Sequence, residues 1–108
     1  VEMQPHGGTV TVSVGDTVLA RSTRALTVAE TRHDNVYYIP RDDVNLELFE
    51  ATELSTYCPF KGHASYWSLK SPEAVENVVW SYESPFPEVE PIRDYLSFYT
   101  NKVSISSN

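Results

Sequence analysis

Between Thr9 and Val14 the chain alternates without a fault, with Val10, Val12 and Val14 on one side and Thr9, Thr11 and Ser13 on the other. Successive side chains of a strand point to opposite faces, so this pattern predicts a strand with one buried face. Gly15-Asp16 and then Thr17-Val18-Leu19-Ala20 follow. Two short apolar runs joined by a Gly-Asp dipeptide predict a hairpin with a tight turn. Arg24 to Glu30 is a third run, in which Arg24, Leu26, Val28 and Glu30 share a face. Arg24 and Glu30 are then partners of one another or rim charges, the ordinary place for such groups. After the Asp34-Asn35 turn, Val36-Tyr37-Tyr38-Ile39 is a short apolar strand, closed by Pro40, which has no N–H to give a ladder. Arg41 to Val44 reads as a turn or a single helical turn, and Leu46 to Ala51 as a strand.

Glu53 to Tyr57 leads into the densest chemistry of the chain, Thr56-Tyr57-Cys58-Pro59-Phe60-Lys61-Gly62-His63-Ala64-Ser65-Tyr66-Trp67. The residue before a proline is pushed out of the helical region, and a glycine can take positive φ, so Cys58 to Gly62 is a turn. His63 to Leu69 then reads as a strand that separates Ala64, Tyr66 and Ser68 from His63, Ser65, Trp67 and Leu69. Ser71-Pro72 marks a turn and Val75 to Tyr82 a strand. Pro85, Pro87 and Pro91 forbid a long helix and leave room for a short one over Glu88 to Asp94, with Tyr95 to Tyr99 a strand or its continuation. Residues 1–8, with Pro5 and Gly7-Gly8, read as a flexible lead-in carrying an exposed His6; residues 9–103 form one domain and 104–108 a fraying tail. Short strands about ten residues apart predict a mostly β fold. The expected architecture is a small barrel or a two-layer antiparallel sheet with one short helix near the C-terminus.

Composition narrows what such a domain can bind. The 108 residues are one domain's length, and 12% aromatics favour β structure. Fifteen acidic residues against eight Lys and Arg give a net charge of -7, and the basic residues are scattered from Arg21 to Lys102. A surface that neutralises phosphates needs clustered cations, so neither nucleic acid nor an anionic membrane is an expected partner. A small polar or anionic ligand in a local pocket fits the balance. The single cysteine, Cys58, allows no internal disulfide, and no apolar run reaches membrane-span length. Cytoplasm is the expected compartment, and the opening Val1 suggests that the natural start is missing. One cysteine and three separated histidines do not make a zinc set, so no metal and no cofactor are expected.

Three segments carry a resemblance. Tyr37-Tyr38-Ile39-Pro40-Arg41-Asp42-Asp43-Val44, the Thr56 to Trp67 stretch, and Trp80-Ser81-Tyr82-Glu83-Ser84-Pro85, in this order, resemble the bacterial and fungal family catalogued as domain of unknown function 427. The likeness runs from about Thr9 to Val103. It implies a compact, mostly β domain and brings no established activity, although the family sometimes bears a nucleotidyltransferase-like label. Nucleotidyl transfer needs carboxylates one residue apart on a strand to hold Mg²⁺, and a glycine-rich turn for the phosphates. Here Asp42 and Asp43 are adjacent, and Gly7-Gly8 lies outside the resemblance.

The residues with chemistry are few. Cys58 is a candidate nucleophile if Lys61 or His63 favours its thiolate; free cysteine is otherwise a small buried hydrophobe. Lys61 is a candidate anchor for an anion or an amine nucleophile, against the ordinary solvated lysine beside a turn. His63 reads as surface. Tyr38, Tyr66, Trp80 and Tyr82 either line a pocket, with their polar atoms orienting a ligand, or form the core. Two readings stand. In the first, the domain binds a small molecule, with or without catalysis, around Cys58, Lys61 and Tyr66, with Tyr38 and Trp80 as walls and Arg24 and Glu30 at the rim. In the second, it is a non-catalytic interaction module that forms a homodimer through an exposed sheet edge.

Overall fold

A computed structural model describes residues 2–29 and 35–108. Ten strands follow one another: Glu2–Pro5 (β1), Val10–Val14 (β2), Thr17–Ser22 (β3), Leu26–Ala29 (β4), Val36–Tyr38 (β5), Phe49–Cys58 (β6), Gly62–Leu69 (β7), Val75–Ser81 (β8), Leu96–Phe98 (β9) and Ser104–Ser107 (β10). They form three antiparallel sheets with orders β1-β4-β5, β10-β2-β3 and β6-β7-β8-β9. The mostly β expectation therefore holds, and none of the three sheets closes into a barrel among the described residues. Paired backbone bonds of 2.8 Å between Ile39 and Leu96 join the end of β5 to β9.

The hairpin read from the valine alternation is present. Val14 faces Thr17 across a two-residue turn, and Gly15 has φ +56°. Positive φ at the first central position suits a type II′ turn, whose twist matches that of the strands. Val10 and Val12 are fully buried and Thr11 and Ser13 half-buried, so the alternation sets which face turns inward. Each such side chain contributes about 1.5–3 kcal/mol when fully buried, enough that a one-residue slip of register is not tolerated.

The central four-stranded sheet is covered on both faces. On one face Leu69, Val79, Leu96 and Phe98 pack with Val10, Val12 and Leu19 of the β2–β3 hairpin. On the other, Ala64, Tyr66 and Tyr82 pack with Val28, Tyr38, Val89 and Ile92. Two bulges flank β7. Residues 52–54 stand opposite Tyr66 alone, and 76–78 opposite Ser68 alone. Asn77 takes φ +48°, a left-handed conformation that asparagine tolerates, and its side-chain oxygen accepts from the Thr52 hydroxyl at 2.8 Å. A Ser68 hydroxyl bond of 2.9 Å to the Asn77 N–H completes the clasp.

Several expectations need correction. The lead-in is not loose: β1 pairs with β4 from Glu2 to Pro5. His6 is half-buried rather than exposed, with its ring edge-on to Tyr37 at 5.1 Å and Nε2 bonded to the Asn108 C=O at 3.1 Å. The tail is β10, paired with β2 through Ile105 opposite Val12. Leu46–Leu48 is a 3₁₀ turn, so β6 begins only at Phe49 and runs on through Glu53 to Cys58. In place of a short helix over Glu88 to Asp94 there are 3₁₀ turns over Pro87–Ile92, broken at Val89 (φ -123°, ψ 25°). Pro87 and Pro91 supply no N–H, which denies an α-helix its ladder there. No helix among the described residues is long and apolar enough to cross a membrane.

Candidate functional site

The turn between β6 and β7 is built by local chemistry and held by a distant segment. Pro59 ends the β6 ladder after Cys58, and the Lys61 N–H returns to the Cys58 C=O at 3.2 Å. Gly62 has φ +115°, a conformation that side-chain-bearing residues rarely take. The Lys61 C=O accepts from the Phe86 N–H at 2.9 Å, which ties the turn to the Ser84–Pro87 loop. Lys61 is only 6% exposed. Burial lowers its pKa, because its ammonium loses hydration.

Cys58 ends β6 half-buried, packed against a cluster of phenols. Tyr66 comes from β7, Tyr38 from β5, Trp80 from β8, Tyr82 from just beyond β8, and Tyr99 from just beyond β9. The Tyr66 and Thr56 hydroxyls are hydrogen-bonded at 2.8 Å, and the Tyr66 and Tyr99 hydroxyls lie 3.4 Å apart. The Trp80 indole N–H donates to the Tyr38 hydroxyl at 3.2 Å. Tyr82 is 7% exposed and its hydroxyl stands beside the Cys58 thiol; among the described residues no buried side-chain oxygen or nitrogen is left without a hydrogen-bond partner. Burial pushes the Tyr38 phenol up to about 12 and raises that of Tyr82 further. Burial, followed by the Tyr66 hydroxyl, lifts Tyr99 to about 12. At neutral pH Tyr38, Tyr82 and Tyr99 are therefore neutral hydrogen-bonding groups.

The opposite face of β7 and β8 carries a clamp. Arg41, on the 3₁₀ turn Arg41–Asp43 predicted as a turn, donates from Nε to the Asp94 C=O at 3.2 Å and from Nη2 to the Ser81 hydroxyl at 3.5 Å. Its guanidinium lies 5.1 Å from the Trp67 ring centre and within 3.8 Å of Glu83 and 3.9 Å of Asp94. The three sequence segments singled out above thus meet in space twice, through Tyr38 with Trp80, Tyr82 and Tyr66 on one face, and through Arg41 with Trp67 and Ser81 on the other.

A family model described as a domain of unknown function, DUF427, matches residues 2–108. The chain belongs to the DUF427 family. No curated protein matches it.

In this DUF427 domain, Tyr38, Tyr66, Trp80 and Cys58 come together, and Lys61 sits on the turn that follows Cys58. Arg24 does not join them. It is an exposed rim residue whose guanidinium bonds Asp43 at 3.1 Å, while Asp43 also accepts from the Ser22 hydroxyl at 2.6 Å. Burial raises the Asp43 carboxyl, but the Ser22 hydroxyl and then Arg24 outweigh it, so the net shift is downward. Glu30, the other proposed rim residue, lies outside the described residues. His63 is exposed and its ring lies 5.0 Å from that of Tyr57, as a surface residue should. The adjacent carboxylates Asp42 and Asp43 share a 3₁₀ turn, where Asp42 is exposed and Asp43 is committed to Ser22 and Arg24. Among the described residues no three metal-ligating side chains gather. Sequence reasoning missed Tyr99, Thr56 and Arg41. Tyr99 and Thr56 follow no face-sharing pattern with Tyr66, since their meeting depends on the order of the strands in the sheet. Arg41 was legible only as part of a motif, without a role.

Proposed function

We propose that this DUF427 domain binds a small molecule at the phenol cluster beside Cys58 and Lys61. The observation that carries the reading is the gathering of Tyr38, Tyr66, Tyr82 and Trp80 against Cys58, with the nearly buried Lys61 on the turn that follows. Phenol and indole groups gathered in this way offer polar tips that can orient a ligand within an apolar setting. In this reading Lys61 holds an anionic group, Tyr66 and Tyr82 orient it by hydrogen bonds, and Trp80 walls the cavity. Cys58 and Lys61 are the groups that would carry a reaction. Nucleotidyl transfer is not the reading, because Asp43 is already engaged by Ser22 and Arg24 and no three metal-ligating side chains gather among the described residues.

The test is a thermal-shift screen of small carboxylates and phosphate esters against wild type, Lys61→Ala and Tyr82→Phe. A ligand at about a hundred times its Kd adds about 2.7 kcal/mol to the native state, which is a shift of about 10 °C or more. The expected result is a shift in wild type that shrinks in both variants. A ligand whose shift survives both unchanged removes these residues from its site.

A second reading is favoured by β6. It is ten residues long, lies at the edge of its sheet, and exposes Leu54 and Tyr57, with Phe60 beyond its end 65% exposed. An open edge with apolar side chains is the kind of surface through which a homodimer forms. Sedimentation velocity across a concentration series distinguishes this non-catalytic module from the ligand-binding one.

A further inference from the structure

A second cleft lies on the far side of Trp80 and Tyr99, away from Cys58 and Lys61. Its volume is about 350 Å³, within the range of small-ligand sites. Phe98 is its buried floor, and Val36, Tyr37, Trp80, Tyr99 and Ile105 are its half-buried walls. Asn35, Thr100, Asn101 and Ser107 make an exposed rim. In a chain where 21% of residues are charged, none of these lining residues is.

Trp80 and Tyr99 reach this cleft with their carbon surfaces. Their polar tips are already used inside the domain, the indole N–H on Tyr38 and the phenol on Tyr66. The two rings touch at 4.5 Å between centroids and 47° between planes, so they form one angled apolar wall. Lys102, over the Tyr99 ring at 5.3 Å, has its ammonium donating to the Glu76 C=O. On the rim, the Asn35 and Asn101 amides and the Thr100 hydroxyl make no hydrogen bond to other described residues, while the Ser107 hydroxyl is bonded to that of Tyr37 at 3.1 Å.

We propose that this Trp80–Tyr99 cleft is a binding site for a neutral hydroxylated ring, a sugar unit. The argument is one of complementary chemistry. A charged ligand would give up hydration and gain no countercharge from this lining. A flat, fully apolar ligand would leave the two amides and the Thr100 hydroxyl facing nothing it can bond. Each primary amide offers both donors and acceptors, and so does every sugar hydroxyl, so the rim can satisfy a ring of hydroxyls without regard to their direction. The apolar C–H face of the ring then lies on the electron-rich faces of Trp80 and Tyr99. This inference does not rest on the Cys58–Lys61 reading, and either can fail alone.

The test is a nuclear magnetic resonance titration of the ¹⁵N-labelled protein with glucose, galactose, mannose and N-acetylglucosamine, with adenine as a flat neutral ring lacking hydroxyls. The expected result is saturable movement of the Trp80 indole and of the Asn35 and Asn101 side-chain amides, with the Trp67 indole on the opposite face unmoved. Asn35→Ala and Asn101→Ala are surface changes that leave the fold intact, and each should weaken the best sugar about five-fold, the value of one neutral hydrogen bond. Absence of saturable movement with every sugar, movement mapped to the Cys58–Gly62 turn instead, sugar affinity unchanged in both variants, or tighter binding of adenine than of any sugar would each overturn the proposal.

Discussion

The Tyr66 and Tyr82 hydroxyls differ in one respect that can be measured. Tyr66 is bonded to Thr56 at 2.8 Å, with Tyr99 at a weaker 3.4 Å. Tyr82 has the Cys58 thiol beside it. Replacing Tyr66 by Phe deletes one sound hydrogen bond, worth about 1 kcal/mol net. For a domain of this size that is a fall in Tm of about 4–8 °C. Replacing Tyr82 by Phe deletes a hydroxyl whose neighbour is a thiol, a weak hydrogen-bond partner, so the change should be smaller, about 0.5 kcal/mol or less. Both substitutions keep the ring, and with it the apolar packing, so no cavity is opened. Urea unfolding followed by circular dichroism gives both values, and an unchanged m-value shows that the denatured state is the same in each variant. If Tyr82→Phe destabilises more than Tyr66→Phe, the thiol contact is the stronger of the two and this reasoning is refuted.

Two further expectations follow from the same geometry. The folded-state pKa values of Tyr38 and Tyr99 are raised from 10.0 to about 12, so the stability they contribute is complete below the unfolded value and is lost as pH climbs from about 10 to about 12. Tyr38→Phe should therefore flatten the alkaline fall in stability, and an ultraviolet pH titration in which all seven tyrosines ionise together near their ordinary value would contradict it. Arg41→Lys keeps a charge and loses the planar fork that reaches the Asp94 carbonyl, Ser81 and Trp67 together, and should cost about 1–3 kcal/mol in a denaturant melt; a lysine as stable as arginine there would show the clamp to be incidental.

Much of the fold could be read before any coordinates, and the pattern of success is physical. β2 and β7 were legible because each has a buried face and therefore a period-2 signal, and β3 and β8 because each is an apolar run bounded by turn residues. β6 was cut short because most of its ten residues are exposed on both sides. A strand that buries neither face writes no alternation into the sequence, whatever its length. β1 and β10 escaped for a related reason: each is four residues and mostly exposed, held by backbone pairing that leaves little mark on side-chain choice. In the candidate site, Cys58, Lys61 and Tyr66 were legible as local chemistry. Their company was not, because Tyr99 reaches Tyr66 across 33 positions of chain and only the strand order brings it there. Face counting put Arg24 at the rim or beside Glu30; it is an exposed rim residue, and its bond to Asp43 is one that a period-2 argument confined to one strand has no means to find.

The bulge at residues 52–54 has a bearing on solution behaviour. An open ten-residue edge carrying Leu54 and Tyr57 is the usual starting point for chain after chain adding to a growing ribbon. The bulge divides that edge into two short stretches, Phe49 to Ala51 and Ser55 to Cys58, which cannot both match one straight incoming strand. Thr52, bonded to Asn77 across β7, holds the break in place. A mutation that let the bulge relax, such as Asn77→Val, would leave the core contacts standing and make the protein prone to fibre formation.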